Sequence, residues 1–294
     1  MFPSYFPSEK GLWLGAATKV QDAFVELDSK ADIRPLDQMI ESIRTTNPAA
    51  MPSIADNWLI CALAERDGAA AKNALIAFGE NPITFGSAEN VIFNRPFVEG
   101  VIARMTKEDG KAQSAFTAAR KELEKIVQAE PNYAPALCVL GLIDAGLGRK
   151  EKALREGRRA VELLPLEKDA LDGSAMIKYL AMIAAWVGDK DLACEQLAIA
   201  IRRPSDLSYG QLKLMPLWDP LRWRVDYCIP STLKLPKPRR RRSHLSRRFL
   251  VFDLGRRLAR CYQLLASRNE LLNALQPMVP RARFTGITPW GSPP

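Results

Sequence analysis

The sequence predicts an all-α chain in which a helical hairpin recurs about every 41 residues, and three observations carry that prediction. The first is a register of small and apolar residues. Ala71, Ala112, Ala153 and Ala193 are spaced 41, 41 and 40 residues apart, and Leu75, Phe116, Gly157 and Leu197 keep the same spacing. Phe78, Ala119, Ala160 and Ala200 repeat it once more, as do Leu59, Gly100, Gly141 and Ala181 upstream. The second observation is that the clearer periods hold two runs of helical periodicity divided by glycine. The third is composition: 47% hydrophobic, 26% charged and only 17 glycines describe a globular chain. Its longest apolar runs, such as residues 182–187, fall far short of the roughly 18–20 residues that span a bilayer.

Taken in order, residues 1–30 hold one helical stretch at 13–27, an N-terminal helix or the remnant of an earlier repeat, and the repeat domain covers residues 31–222. In the third period Ala136, Leu137, Leu140, Gly141 and Ile143 form one helical face, broken by Gly146 and Gly148. The second helix runs through Ala153, Leu154, Gly157, Ala160, Val161 and Leu164 and stops at Pro165, which cannot continue it. The fourth period repeats the scheme from Ile177 to Pro204. There Gly188 suits a left-handed helix end and Asp189 the N-cap of the next helix. Such hairpins cannot bury their apolar faces alone, so they are expected to stack into an α-solenoid.

Residues 132–165 resemble a tetratricopeptide repeat. Leu140-Gly141 matches its Leu-Gly pair, Gly148 its inter-helix glycine, Ala153 and Ala160 its small second-helix positions, and Pro165 its closing proline. Gly157 replaces the aromatic common between those alanines, and Asp144 stands where a first-helix aromatic is common, which implies looser packing. The period exceeds the 34 residues of that repeat, implying a longer helix or connection. Residues 117–222, and 31–66 upstream, are similar to the C-terminal repeat region of large bacterial signalling proteins. In those proteins the array follows a serine/threonine kinase or transcriptional-regulator effector. The resemblance therefore implies an interaction module, and a detached regulatory fragment of such a kinase or regulator as the alternative.

Chemistry finds little support. There is no phosphate loop ahead of a lysine and no kinase HRD or DFG triplet; Glu108-Asp109-Gly110-Lys111 reads as a turn between helices. The lone His244 has nothing to orient it as a base, and a zinc site fails on ligand count. Five dispersed cysteines without a CxxC point to reduced thiols in a cytoplasmic protein, and residues 1–10 lack the pattern of a secretory signal. We expect no enzyme activity, cofactor, metal or small-molecule substrate.

The net charge of +9 is unevenly placed. Residues 222–294 carry 16 Lys/Arg against 3 Asp/Glu, which leaves 26 against 30 in the remainder. Lys237, Arg239, Arg240, Arg241, Arg242, Arg247 and Arg248 lie in a Pro/Arg-rich linker, residues 223–248. They can neutralise phosphates of nucleic acid or an anionic lipid surface. Equally, the segment reads as a flexible, divergent or frame-shifted tail with incidental polyanion affinity, because aromatic interleaving is missing. Residues 249–294 hold a basic amphipathic helix, a cap on the last repeat or a surface-seeking element, followed by a disordered end.

The concave groove of a solenoid would be lined by the first helix of each hairpin and would bind a protein or peptide segment. The pattern aims Phe97, Val101 and Arg104 at it from the second copy, Cys138, Leu142 and Ala145 from the third, and Lys178, Met182 and Trp186 from the fourth. Arg104 and Lys178 suit a carboxylate, and Trp186 suits an anchor.

Overall fold

The computed structural model describes residues 20, 23–85, 91–202, 207–222 and 228, which are mostly helical with no strand among them. Helix α1 covers residues 23–30, and α2 spans Arg34–Thr46. A 3-10 turn, Pro48–Ile54, leads into α3 (Ala55–Glu65) and α4 (Gly68–Phe78). Then follow α5 (Arg95–Met105), α6 (Asp109–Ala129), α7 (Ala134–Gly146) and α8 (Lys150–Leu163). The series continues with α9 (Asp172–Trp186), α10 (Lys190–Ala200) and the short α11 (Tyr209–Leu214), and a second 3-10 turn, Pro216–Leu221, completes it. Pro165 lies just past the end of α8, as expected of a residue without a backbone donor.

Helices α3 and α4, α5 and α6, α7 and α8, and α9 and α10 pack as four hairpins. Successive hairpins touch through α4 on α5, α6 on α7, and α9 against both α7 and α8. The sixteen positions that share the sequence period are all buried. The added length of the period lies in connections and in α6, which has 21 residues. Between α4 and α5 the chain makes an isolated bridge, with Phe93 N–H donating to Ile83 O at 2.8 Å.

The period is also written into the backbone of the turns. Arg66, Lys107, Gly148 and Gly188 follow the first helices of the four hairpins and have φ of 66°, 61°, 75° and 82°. One residue later, the N–H of Asp67, Glu108, Arg149 and Asp189 donates five residues back, to Ala62, Ala103, Asp144 and Ala184, at 2.8–2.9 Å. This is the left-handed helix stop, and it satisfies a carbonyl that the helix end would leave unpaired. Asp67 and Asp189 then cap α4 and α10, their side chains accepting from Ala69, Ala70 and Leu192. Only two of the four copies use glycine, so the other two turns were silent in the sequence.

Helix crossings are tight where the small residues sit. A Cβ on Gly100 would lie 2.6 Å from the Phe116 ring. One on Gly141 would meet Ile183 Cδ1 at 2.8 Å and Ala153 O at 3.0 Å, and one on Gly157 would meet the same Ile183 atom at 2.8 Å. The looser packing expected in the third copy is therefore not found: α9 supplies Ile183 and Leu180 to the place left by the missing aromatic. At Asp144, which is fully buried, charge replaces bulk. Arg120 Nε of α6 donates to its Oδ1 at 2.7 Å and Arg149 at 3.2 Å.

The expectation of five reduced thiols also needs correction. Cys194 of α10 is joined to Cys228 by a disulfide, their Cα atoms 4.7 Å apart, while Cys61 and Cys138 are buried thiols outside that bond. The pairing spans 34 residues, a separation that spacing rules for metal or redox motifs do not flag.

Two expectations follow. Lys107→Gly relieves a side chain held at positive φ and should stabilise by up to about 1 kcal/mol, whereas Gly148→Ala should cost about 1 kcal/mol. Urea midpoints check both, and a loss in Lys107→Gly would contradict the assignment. Cys194→Ser should lower stability by about 3–4 kcal/mol, the chain-entropy scale for a 34-residue loop, in oxidising buffer only. Non-reducing peptide mapping reports the bond directly.

Candidate functional site

Residues 207–222 are held by the first helices of three of the hairpins. α11 packs on α3, and the 3-10 turn Pro216–Leu221 packs on α9 and α5. Leu212, Met215, Leu217, Trp218 and Leu221 are all buried, Trp218 with 2% of its surface exposed. Apolar burial is what holds such a segment, at about 1.5–3 kcal/mol for each large side chain. The fit is close. A Cβ on Gly210 would fall 1.7 Å from Leu27 O of α1, and about 20 Å³ of space remains between the segment and Ile60, Phe85, Lys178, Tyr179 and Met182.

Polar contacts fix the register of the segment. Trp186 Nε1 donates to Leu217 O at 2.8 Å, satisfying a carbonyl in the turn. Arg66, at the left-handed end of α3, donates to Asp219 Oδ1 at 2.7 Å, and Arg222 reaches the same oxygen at 2.8 Å. The Arg104 guanidinium lies 4.2 Å from the centre of the Trp186 ring. Desolvation lowers the Arg104 pKa, and the charges of Asp219 and Asp109 oppose that shift. Trp186 is also the end of an aromatic stack: Phe93 on Phe97 at 5.0 Å, Phe97 on Trp186 at 6.4 Å, and Phe116 edge-on to Trp186 at 6.0 Å. These rings bind α5 and α6 to α9 across the face.

The residues singled out from sequence divide into three sets. Phe97, Arg104 and Trp186 come together as described, Arg104 exposed and Trp186 half-buried. Lys178 and Met182 line the contact with residues 207–222, and both are buried; Lys178 Nζ lies 4.6 Å from the Tyr179 ring centre. Val101, Cys138, Leu142 and Ala145 are core residues, with Cys138 Sγ donating to Pro135 O at 3.2 Å. Sequence reasoning missed Arg66, Asp219 and the role of residues 207–222. The available signal was Arg66 itself, a charged side chain in register with Gly148 and Gly188. The basic positions Lys237, Arg239 to Arg242, Arg247 and Arg248 lie outside the described residues.

Two other clusters bear on chemistry. Asp37, Cys61 and Glu65 place one ligand atom each within 4.8 Å of one another, a grouping not foreseen from sequence. Cys61 is a weak ligand there, because burial, followed by the charges of Glu65 and Asp37, pushes its thiol far above the usual range. Burial likewise raises the Glu65 carboxyl. Behind α7, Glu156 of α8 faces Asp144, and burial, then the Asp144 charge, raises the Glu156 carboxyl from 4.5 to about 8. Asp144 Oδ2 and Glu156 Oε2 have no other partner, so a proton held by Glu156 and donated to Asp144 satisfies both.

Among the described residues no helix is long and apolar enough to cross a membrane. Compared with protein families, with curated proteins and with solved structures, the chain finds no match in any of the three.

A pH dependence follows from Glu156. Below about pH 4.5 its carboxyl is protonated in both folded and unfolded chains, and the raised pKa costs nothing. Between there and about pH 8 the unfolded chain releases a proton that the folded chain keeps, so stability falls across that window and the loss is complete above it. Glu156→Gln should flatten this part of the stability profile, measured by urea unfolding at a series of pH values.

Proposed function

We propose that the chain is a non-enzymatic interaction scaffold: a tetratricopeptide-like α-solenoid of four hairpins whose concave groove takes up a segment of a protein partner. The observation that carries this reading is the seating of residues 207–222 on α3, α5 and α9, with Trp218 buried and Asp219 at Arg66. A face that holds such a segment of its own chain has the chemistry to hold one from another. The expected groove residues Arg104, Lys178, Met182 and Trp186 belong to that contact or border it. The resemblance to bacterial signalling arrays adds the regulatory setting, with an effector acting in trans as the companion reading. Nucleic-acid binding through the basic residues of 237–248 is the competing one, favoured by 16 Lys/Arg against 3 Asp/Glu in residues 222–294.

Affinity capture from a bacterial lysate separates these. The full chain and its Asp219→Arg variant are each used as bait at moderate salt. A discrete protein that is retained and then released by a free peptide of residues 208–222 supports the scaffold. Capture of nucleic acid alone, lost on raising the salt and indifferent to the peptide, overturns it.

A further inference from the structure

The groove is already filled, and what fills it describes what it selects. Residues 215–219 read Met-Pro-Leu-Trp-Asp, and Met215, Leu217, Trp218 and Asp219 each have a counterpart on the hairpins. Met215, Leu217 and Trp218 are buried against Ile60, Tyr179 and Met182. The Leu217 carbonyl accepts from Trp186, so the backbone is gripped at one point independent of side chain. The carboxylate that follows the tryptophan meets Arg66 and lies in the field of Arg104. Two cations from different hairpins thus converge on the end of an apolar, aromatic anchor.

We propose that the partner of this groove is a segment with the same chemistry, a proline-turned apolar run ending in tryptophan and then a carboxylate, and that residues 207–222 are its intramolecular competitor. The proposal deepens the scaffold reading and rests on it. Tethering gives the resident segment an effective concentration of about millimolar, so the groove of the unmodified chain is closed to partners at ordinary concentrations. Opening requires only that the resident segment be weakened. Asp219 offers a mild way to do so, because it is exposed and its contacts are to arginines rather than to the core.

The test uses the full chain and a fluorescent peptide of residues 208–222, with binding read by polarisation. Asp219→Arg places a cation against Arg66 and Arg104 and should tighten binding of the free peptide by about tenfold or more over the unmodified chain. A peptide carrying Trp218→Ala should lose that gain. Adding Arg66→Glu to the Asp219→Arg chain restores an ion pair within the chain and should return binding to the unmodified level. Trp218→Ala in the full chain is the stronger opening variant, used if Asp219→Arg leaves the segment seated, and helical circular dichroism confirms that each variant is folded. Folded opening variants that bind the peptide no better than the unmodified chain, or bind the Trp218→Ala peptide equally well, overturn the proposal. A concentration-dependent dimer of the unmodified chain without any gain in peptide binding makes a second copy the occupant and also overturns it. Peptide binding without any captured cellular protein leaves this inference standing and removes the scaffold reading, so the two fail separately.

Discussion

Close approach of paired helices is the constraint on which the rest of the structure depends. Gly100 against Phe116, and Gly141 and Gly157 against Ile183, leave no room for a methyl group, so each crossing is fixed by what it lacks. Interiors packed at this density transmit position faithfully from one hairpin to the next. Ile183 meets both glycines of the third hairpin from the fourth, so the crossing that closes one unit also places its successor. The repeated left-handed turn completes the geometry by reversing the chain after every first helix in the same way.

The face so produced holds residues 207–222 by packing more than by charge. Six large apolar side chains of residues 207–222 are buried, which outweighs the ion pairs around Asp219. Those pairs are partly exposed, and pairs of that kind contribute about 0–1 kcal/mol each. Their role is therefore orientation: Arg66 and Trp186 decide which way and in which register the segment lies, while Trp218 decides whether it stays. The aromatic stack from Phe93 to Trp186 gives the tryptophan donor a rigid support.

Much of the helical architecture was legible because it repeats. Alanine and glycine at helix crossings leave a periodic trace, and Gly148, Gly188, Asp189 and Pro165 mark boundaries by backbone chemistry that sequence carries openly. Arg66 and Lys107 adopt the same left-handed turn with side chains that give no local warning, since the fold around them imposes it. The site was legible only in part. Periodicity assigned nine residues to one face; of these Phe97 and Arg104 both touch Trp186, while Val101, Cys138, Leu142 and Ala145 lie in the core. It could not say that the same face is covered by residues more than twenty positions beyond Trp186, or that Cys194 pairs with Cys228, because both are long-range facts without a period.

Asp144 has one more consequence. Its equivalents in the other hairpins are Ala62, Ala103 and Ala184, so the four units are not interchangeable at this point. Arg120, which sits on the helix preceding the third hairpin and also pairs with Glu124 of its own helix, reaches across to a carboxylate at Asp144. A chain of similar hairpins can in principle stack one unit out of step, with most apolar contacts conserved. Such a slip would set Arg120 against an alanine and leave it only the ion pair with Glu124 of its own helix. The one acidic residue among four matched positions thus acts as an address, recording which hairpin belongs next to which.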